Sequence, residues 1–115
     1  RGLDGHFHVE AMVDGTPLRF LVDTGASDVV LSKADAERLG FDPARLDYTQ
    51  QYSTANGTVF GAPVRLNEIE IGGIRVDNVR ASVNGGEMDG SLLGMSFLSR
   101  LSGFSVEGDR LILRP

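Results

Sequence analysis

A chain of 115 residues with 41% hydrophobic and 23% charged residues can form one modest core and is too apolar for disorder, so residues 1–115 read as a single domain. Its net charge of −5 argues against nucleic acid or an anionic membrane surface as the main partner. The absence of cysteine removes disulfides, thiolate nucleophiles and cysteine-held metals, and no run of about 18 apolar residues is present to cross a membrane.

Glycine, at 15 of 115 residues, is about twice as common as usual, which favours many turns between short strands. The chain opens on Arg1 rather than Met, as expected of a processed or excised form whose signal or anchor would lie upstream. The segment GHFHVEAMV then alternates, with Phe7, Val9, Ala11 and Val13 on one face. Asp14-Gly15 marks a tight turn into a strand at Phe20-Leu21-Val22. A second short strand, DVVLS, follows. Ser32 with Asp35 three residues on reads as a capping box, opening a two-turn helix over KADAERL that stops at Gly40. FDPARL reads as a further turn with Pro43 at a first helical position.

Asn56-Gly57 is a hairpin signal, but its arms in YTQQYSTANGTVFGAPV are rich in Thr, Gln, Ser and Tyr. A hairpin that buries neither face well should project from the body. VRLNEIEIGGIRVDNVRASV gives two alternating strands about Gly72-Gly73. SLLGMSFLSRLSG gives an apolar strand, a glycine and a short helix stopping at Gly103, and FSVEGDRLILRP closes as a hairpin around Gly108-Asp109. The sum is about eight strands and two short helices in an all-β domain. The strand-turn-strand-helix over Phe20–Gly40 is echoed by strand-glycine-helix over Ser91–Gly103, so two elbows could face each other.

One stretch is at odds with simple packing. RFLVDTGASDVVLS drives an apolar strand straight into Asp23, and a carboxylate there is costly unless hydrogen-bonded or paired. It either caps a turn, as Asp often does, or performs chemistry. Asp23-Thr24-Gly25-Ala26, with its flanks from Phe20 to Leu31, resembles the active-site signature of aspartic proteases. Leu92-Leu93-Gly94 resembles the hydrophobic-hydrophobic-glycine element those folds place behind the catalytic turn, and the Asn56-Gly57 hairpin falls where a flap belongs. The TANG and SLLGMSFLSRL strings are similar to bacterial members of the retroviral-type, retropepsin-like family.

The resemblance implies a small closed β-barrel with one or two short helices and a flap hairpin, acting as an aspartic endopeptidase. Peptide hydrolysis of this kind needs an activated water and an acid for the amide. Two carboxylates about 3 Å apart hold one proton in common and supply both, as is general among aspartic proteases. Asp23 is the expected acid and base, Thr24 the brace across the subunit boundary, and Gly25 the gap through which water and substrate reach the backbone. Asp14-Gly15 and Asp89-Gly90 lack the middle residue of a second motif, so the second Asp23 must come from a second copy in a twofold homodimer. The chain ends, Arg1–Val9 and Arg110–Pro115, are the expected interface.

Substrate is expected as an extended strand held by main-chain hydrogen bonds, with Ala26, Ser27 and Asp28 below and Thr54, Ala55, Asn56, Gly57 and Thr58 above. Leu92, Leu93 and Gly94 form the structural elbow. The resemblance implies no cofactor or metal. His6 and His8 share a strand face but lack a third ligand at sensible spacing. Asp35, Glu37, Glu68 and Glu70 read as solvated faces, and Met12, Met88 and Met95 as core or gap filler. The resemblance further implies a periplasmic domain held at the membrane through a region before Arg1. The alternative reading is a retired protease barrel kept as a dimerisation or peptide-binding module.

Overall fold

The Asp14-Gly15 turn sets the first register. Both residues adopt positive φ (48° and 83°), the geometry of a two-residue hairpin, and join β1 (His8–Val13) to β2 (Thr16–Val22). The computed structural model describes residues 7–54, 57–108 and 110–115. Beyond β2 come β3 (Val29–Leu31), α1 (Lys33–Arg38), a 3-10 turn (Pro43–Arg45), β4 (Gln50–Thr54) and the long β5 (Gly57–Ile71). After them come β6 (Ile74–Asn84), β7 (Ser91–Leu93), α2 (Met95–Leu98), β8 (Gly103–Glu107) and β9 (Arg110–Arg114).

Six strands close a barrel in the order β1-β2-β7-β3-β6-β5, with β5 returning to β1 through Met12↔Glu70 and Val13↔Ile69. β4 pairs with the first part of β5, outside the closed ring. β8 and β9 form a separate two-stranded sheet. The all-β barrel with two short helices therefore agrees with the sequence reading. One barrel strand is longer than expected, because the second hairpin arm and the strand after it are a single 15-residue β5.

Alternation places the core. Ala11 and Val13 of β1, Leu18 and Phe20 of β2, and Val79, Ala81 and Val83 of β6 point inward, with Phe97 and Leu98 of α2 plugging one side. In the strands and the second helix three expectations fail. Met12 is 41% exposed, because it lies on the outer face of β1 between inward-facing Ala11 and Val13. The second helix ends at Leu98, and Gly103 opens β8 instead of stopping a helix. In the β4–β5 hairpin Thr54 pairs with Gly57, so Gly57 is a strand residue; Ala55 and Asn56, like His6 and Asp109, lie outside the described residues.

The capping box forms only by half. Ser32 Oγ accepts from Asp35 N at 3.1 Å, which caps α1, but the Asp35 carboxylate does not return to Ser32. Ser91 Oγ stands between them, accepting from Ser32 N at 3.0 Å and donating to Asp35 Oδ2 at 2.6 Å. Asp35 is thus tied to β7 with a side chain only 14% exposed, against the expectation of a solvated residue.

Candidate active site

β2 ends just past fully buried Phe20, with Val22 packed against the edge of the core as the chain leaves the barrel. The Asp23 amide is fixed to Leu93 O at 3.1 Å, and Ala26 N closes the turn on Asp23 O at 3.2 Å. Gly25 N donates to Asp23 Oδ1 at 2.9 Å, so the half-buried carboxylate is aimed by its own turn. A Cβ on Gly25 would sit 3.2 Å from that oxygen, a tight contact that would push the carboxylate by a few tenths of an ångström.

The floor under this turn is the β7–α2 elbow. β2 and β7 run parallel, with Phe20↔Ser91, Leu21↔Leu92 and Val22↔Leu93. Met95 N then donates to Ala26 O at 2.8 Å. Gly94 lies so close that a side chain would overlap the carbonyl oxygens of Ala26 and Asp28. Ser96 Oγ accepts from Val29 N at 2.8 Å and donates to Arg80 O at 2.7 Å, binding β3, α2 and β6 together. The two elbows noticed in the sequence do face each other.

Asp23, Gly25, Ala26, Ser27 and Asp28 border one cavity of about 530 Å³, together with Tyr52 and Val59 of the β4–β5 hairpin. Thr24 is exposed, and Gly57 and Thr58 are exposed farther along the hairpin. Leu92 reaches the cavity wall, while Leu93 and Gly94 are buried behind the turn. A neighbouring cavity of about 520 Å³, lined by His8, Arg19, Asp35 and Arg38, shares Met88 and Leu92 but does not reach Asp23. Among the described residues no group of three or more His, Asp or Glu is placed to hold a metal, and His8 is an exposed residue of β1.

Asp28 is the buried acid of the site. Its side chain is 9% exposed, with Oδ1 accepting from Arg80 Nε at 2.8 Å and Oδ2 from the Tyr52 hydroxyl at 3.2 Å. The hydrogen bond and charge of Asp28 raise the Arg80 pKa above its ordinary range. Burial raises the Tyr52 phenol, and the Asp28 carboxylate adds to the effect, while Ser82 and Arg80 oppose it. Ser82 is fully buried beside the Tyr52 ring, and its Oγ finds no partner at bonding geometry among the described residues. Such an orphan costs about 1–3 kcal/mol, so it marks a place where packing was not the sole requirement. Gly61 makes the arrangement possible, since a Cβ there would overlap both Ser82 Oγ and the Tyr52 ring.

Sequence reasoning found the turn and elbow through the Asp-Thr-Gly and Leu-Leu-Gly strings. It missed Arg80, Tyr52, Ser82 and Gly61. These come from β4, β5 and β6: the Val29↔Ala81 and Val30↔Ser82 pairings set Arg80 and Ser82 beside Asp28, and the Gln50↔Gly61 and Gly61↔Asn84 pairings bring β4 and β5 over them.

A closed six-stranded barrel, an Asp-Thr-Gly turn and a supporting hydrophobic-glycine elbow define a retropepsin-like aspartic protease fold. The profile of the gag-polyprotein putative aspartyl protease family matches residues 9–100, and the chain belongs to that family. The Rickettsia prowazekii (strain Madrid E) protein RP867 is 49% identical over 113 residues, covering 98% of this chain. The chain spans about half that relative's length, 48%. The crystal structure of a retropepsin-like aspartic protease from Rickettsia conorii superposes with a TM-score of 0.89 at 49% identity, over 98% of this chain and 85% of that one. The EIAV protease, complexed with the inhibitor HBY-793, shares the fold at a TM-score of 0.73 and 24% identity, over 93% of this chain and 98% of that one.

Proposed function

We propose that the protein is an aspartic endopeptidase active as a twofold homodimer, with one Asp23 from each protomer holding the attacking water. The observation that carries the reading is the Asp23 turn itself. A carboxylate aimed by Gly25 N at 2.9 Å borders a cavity of about 530 Å³, and the chain holds one such motif where the chemistry needs two acids.

One Asp23 takes a proton from the water as it attacks the peptide carbonyl. The shared proton on the other side of the pair serves the carbonyl oxygen, and a proton then passes to the departing amide nitrogen. Thr24 braces the two turns across the axis, and Gly25 leaves the approach open. Substrate lies extended over Ala26 and Ser27, and the β4–β5 hairpin acts as a flap that closes over it and excludes bulk water.

The β8–β9 hairpin is our candidate for the interface. It stands apart from the barrel sheet, with Phe104 and Leu113 packed on the core while Val106, on the same face, is 56% exposed. A second copy of the hairpin offers the matching surface in an isologous contact. Location in the periplasm, held at the membrane by a segment outside this chain, is part of the same proposal. It is supported by the family resemblance and is checked by a periplasm-dependent reporter fused to the full-length protein.

The test is cleavage of a peptide library by wild type and by Asp23→Asn. Wild type is expected to cut, and the variant to retain no more than about 10⁻³ of that rate. Cleavage that survives the substitution contradicts the mechanism. Peptide binding without cleavage by wild type would assign the chain to the binding-module class.

A further inference from the structure

The cavity beside Asp23 has two kinds of wall. Val30, Val59 and Leu92 give it an apolar side. Asp28, Tyr52 and Ser82 give it a contiguous polar side, in which Asp28 and Tyr52 share a hydrogen bond and Ser82 lies beside the Tyr52 ring. We propose that the polar side selects a carboxamide side chain, asparagine or glutamine, at one substrate position on each side of the scissile bond. The inference rests on the protease reading, which makes this cavity part of the substrate groove. Twofold symmetry then supplies two copies of it, one per side.

The inventory of donors and acceptors narrows the ligand. The Tyr52 hydroxyl has one proton and two acceptors in reach, Gln50 Oε1 at 2.5 Å and Asp28 Oδ2 at 3.2 Å, so its oxygen keeps the capacity to accept. Ser82 Oγ can donate and accept; it approaches the Tyr52 phenol closely enough to act on it but completes no bond at good geometry among the described residues. Recognition requires that the Tyr52 ring shift as the hairpin closes on a peptide, because the Ser82 hydroxyl is fully buried until it does. A carboxamide then receives from Ser82 and donates to Tyr52, using both of its functions.

Charge excludes the alternatives. Arg80 Nε already neutralises Asp28 at 2.8 Å, so a lysine or arginine side chain would compete with a bound guanidinium. A glutamate would face the Asp28 carboxylate. An aliphatic side chain would strip water from Tyr52 and Asp28 while leaving Ser82 unpaired.

The experiment measures binding and turnover separately. Short peptides carry Gln, Asn, Leu, Lys or Glu at each position in turn of a fixed frame, and their affinity is read on the Asp23→Asn homodimer. Gln or Asn is expected to bind about fivefold to tenfold tighter than the other three at one position on each side of the centre. Adding Tyr52→Phe or Ser82→Ala to the same background should each abolish that preference, with melting temperatures showing that both variants fold. Leu binding as tightly as Gln at every position, or a preference that survives both substitutions, overturns the inference. Cleavage of the same peptides by wild type reports on the enzyme reading. Cutting without amide preference removes the inference and leaves the enzyme, whereas amide preference without cutting removes the enzyme and leaves the recognition.

Discussion

Gly94 lies against the carbonyl of Asp28 more closely than any side chain would permit. The contact joins the β7–α2 elbow to the turn that carries Asp23, and Met95 N to Ala26 O at 2.8 Å locks it. Gly94→Ala should therefore push the turn off its floor. We expect a loss of about 3 kcal/mol in denaturant unfolding together with loss of peptide cleavage. A variant with unchanged midpoint would show that the floor yields without cost.

Ser91 tests the second link between the elbows. Its hydroxyl serves the buried Ser32 amide and the Asp35 carboxylate at once, at 3.0 and 2.6 Å. Ser91→Ala leaves the Ser32 amide unpaired and takes the partner from Asp35 Oδ2, while Arg38 stays 3.5 Å from Asp35 Oδ1, and the expected destabilisation is about 1–3 kcal/mol by chemical denaturation. Ser91→Thr should recover part of it by keeping the hydroxyl.

The phenols give a pH signature that is easily isolated, because the chain has two tyrosines and no tryptophan. Burial raises both Tyr48 and Tyr52 above the ordinary value of 10.0, with nearby Asp42 and Asp28 respectively adding to it. A raised folded value means that the native state holds the proton more tightly than the unfolded state. The resulting stability is full below pH about 10 and falls as pH climbs through the raised values. Ultraviolet titration should show both phenols ionising late. Arg80→Ala should delay Tyr52 further, since that cation favours the tyrosinate; an earlier Tyr52 transition would contradict the assignment.

Val106 tests the interface. At 56% exposure it can accept a charge in the isolated protomer at little cost, within about 0.5 kcal/mol. In a dimer built on β8–β9 the same charge is buried without a partner. Val106→Asp should shift sedimentation from dimer to monomer and remove cleavage, leaving the melting temperature of the protomer nearly unchanged. Dimers that persist at the wild-type concentration would place the interface elsewhere.

The site's two strings were legible in the sequence because their chemistry is local. Asp23-Thr24-Gly25 is a turn whose hydrogen bonds span two or three residues, and Leu92-Leu93-Gly94 announces a strand ending at a glycine. The barrel strands were legible from alternation, as at Ala11 and Val13. What escaped is non-local. Asp28 looked like a residue free to meet substrate, yet its carboxylate is held by Arg80 from 52 positions away. Ser91 displaced half of a capping box from 59 positions away. Ser82 and Tyr52 are unremarkable in their own strands and acquire meaning only where the register sets them around Gly61.

The most direct measurement mixes wild-type and Asp23→Asn chains at constant total concentration, after exchange of protomers, and reads peptide cleavage. If every active site takes one Asp23 from each protomer, only wild-type pairs cut, and an equal mixture retains about one quarter of full activity. Activity that falls in simple proportion, to about one half, would mean that each chain works alone and would contradict the shared site.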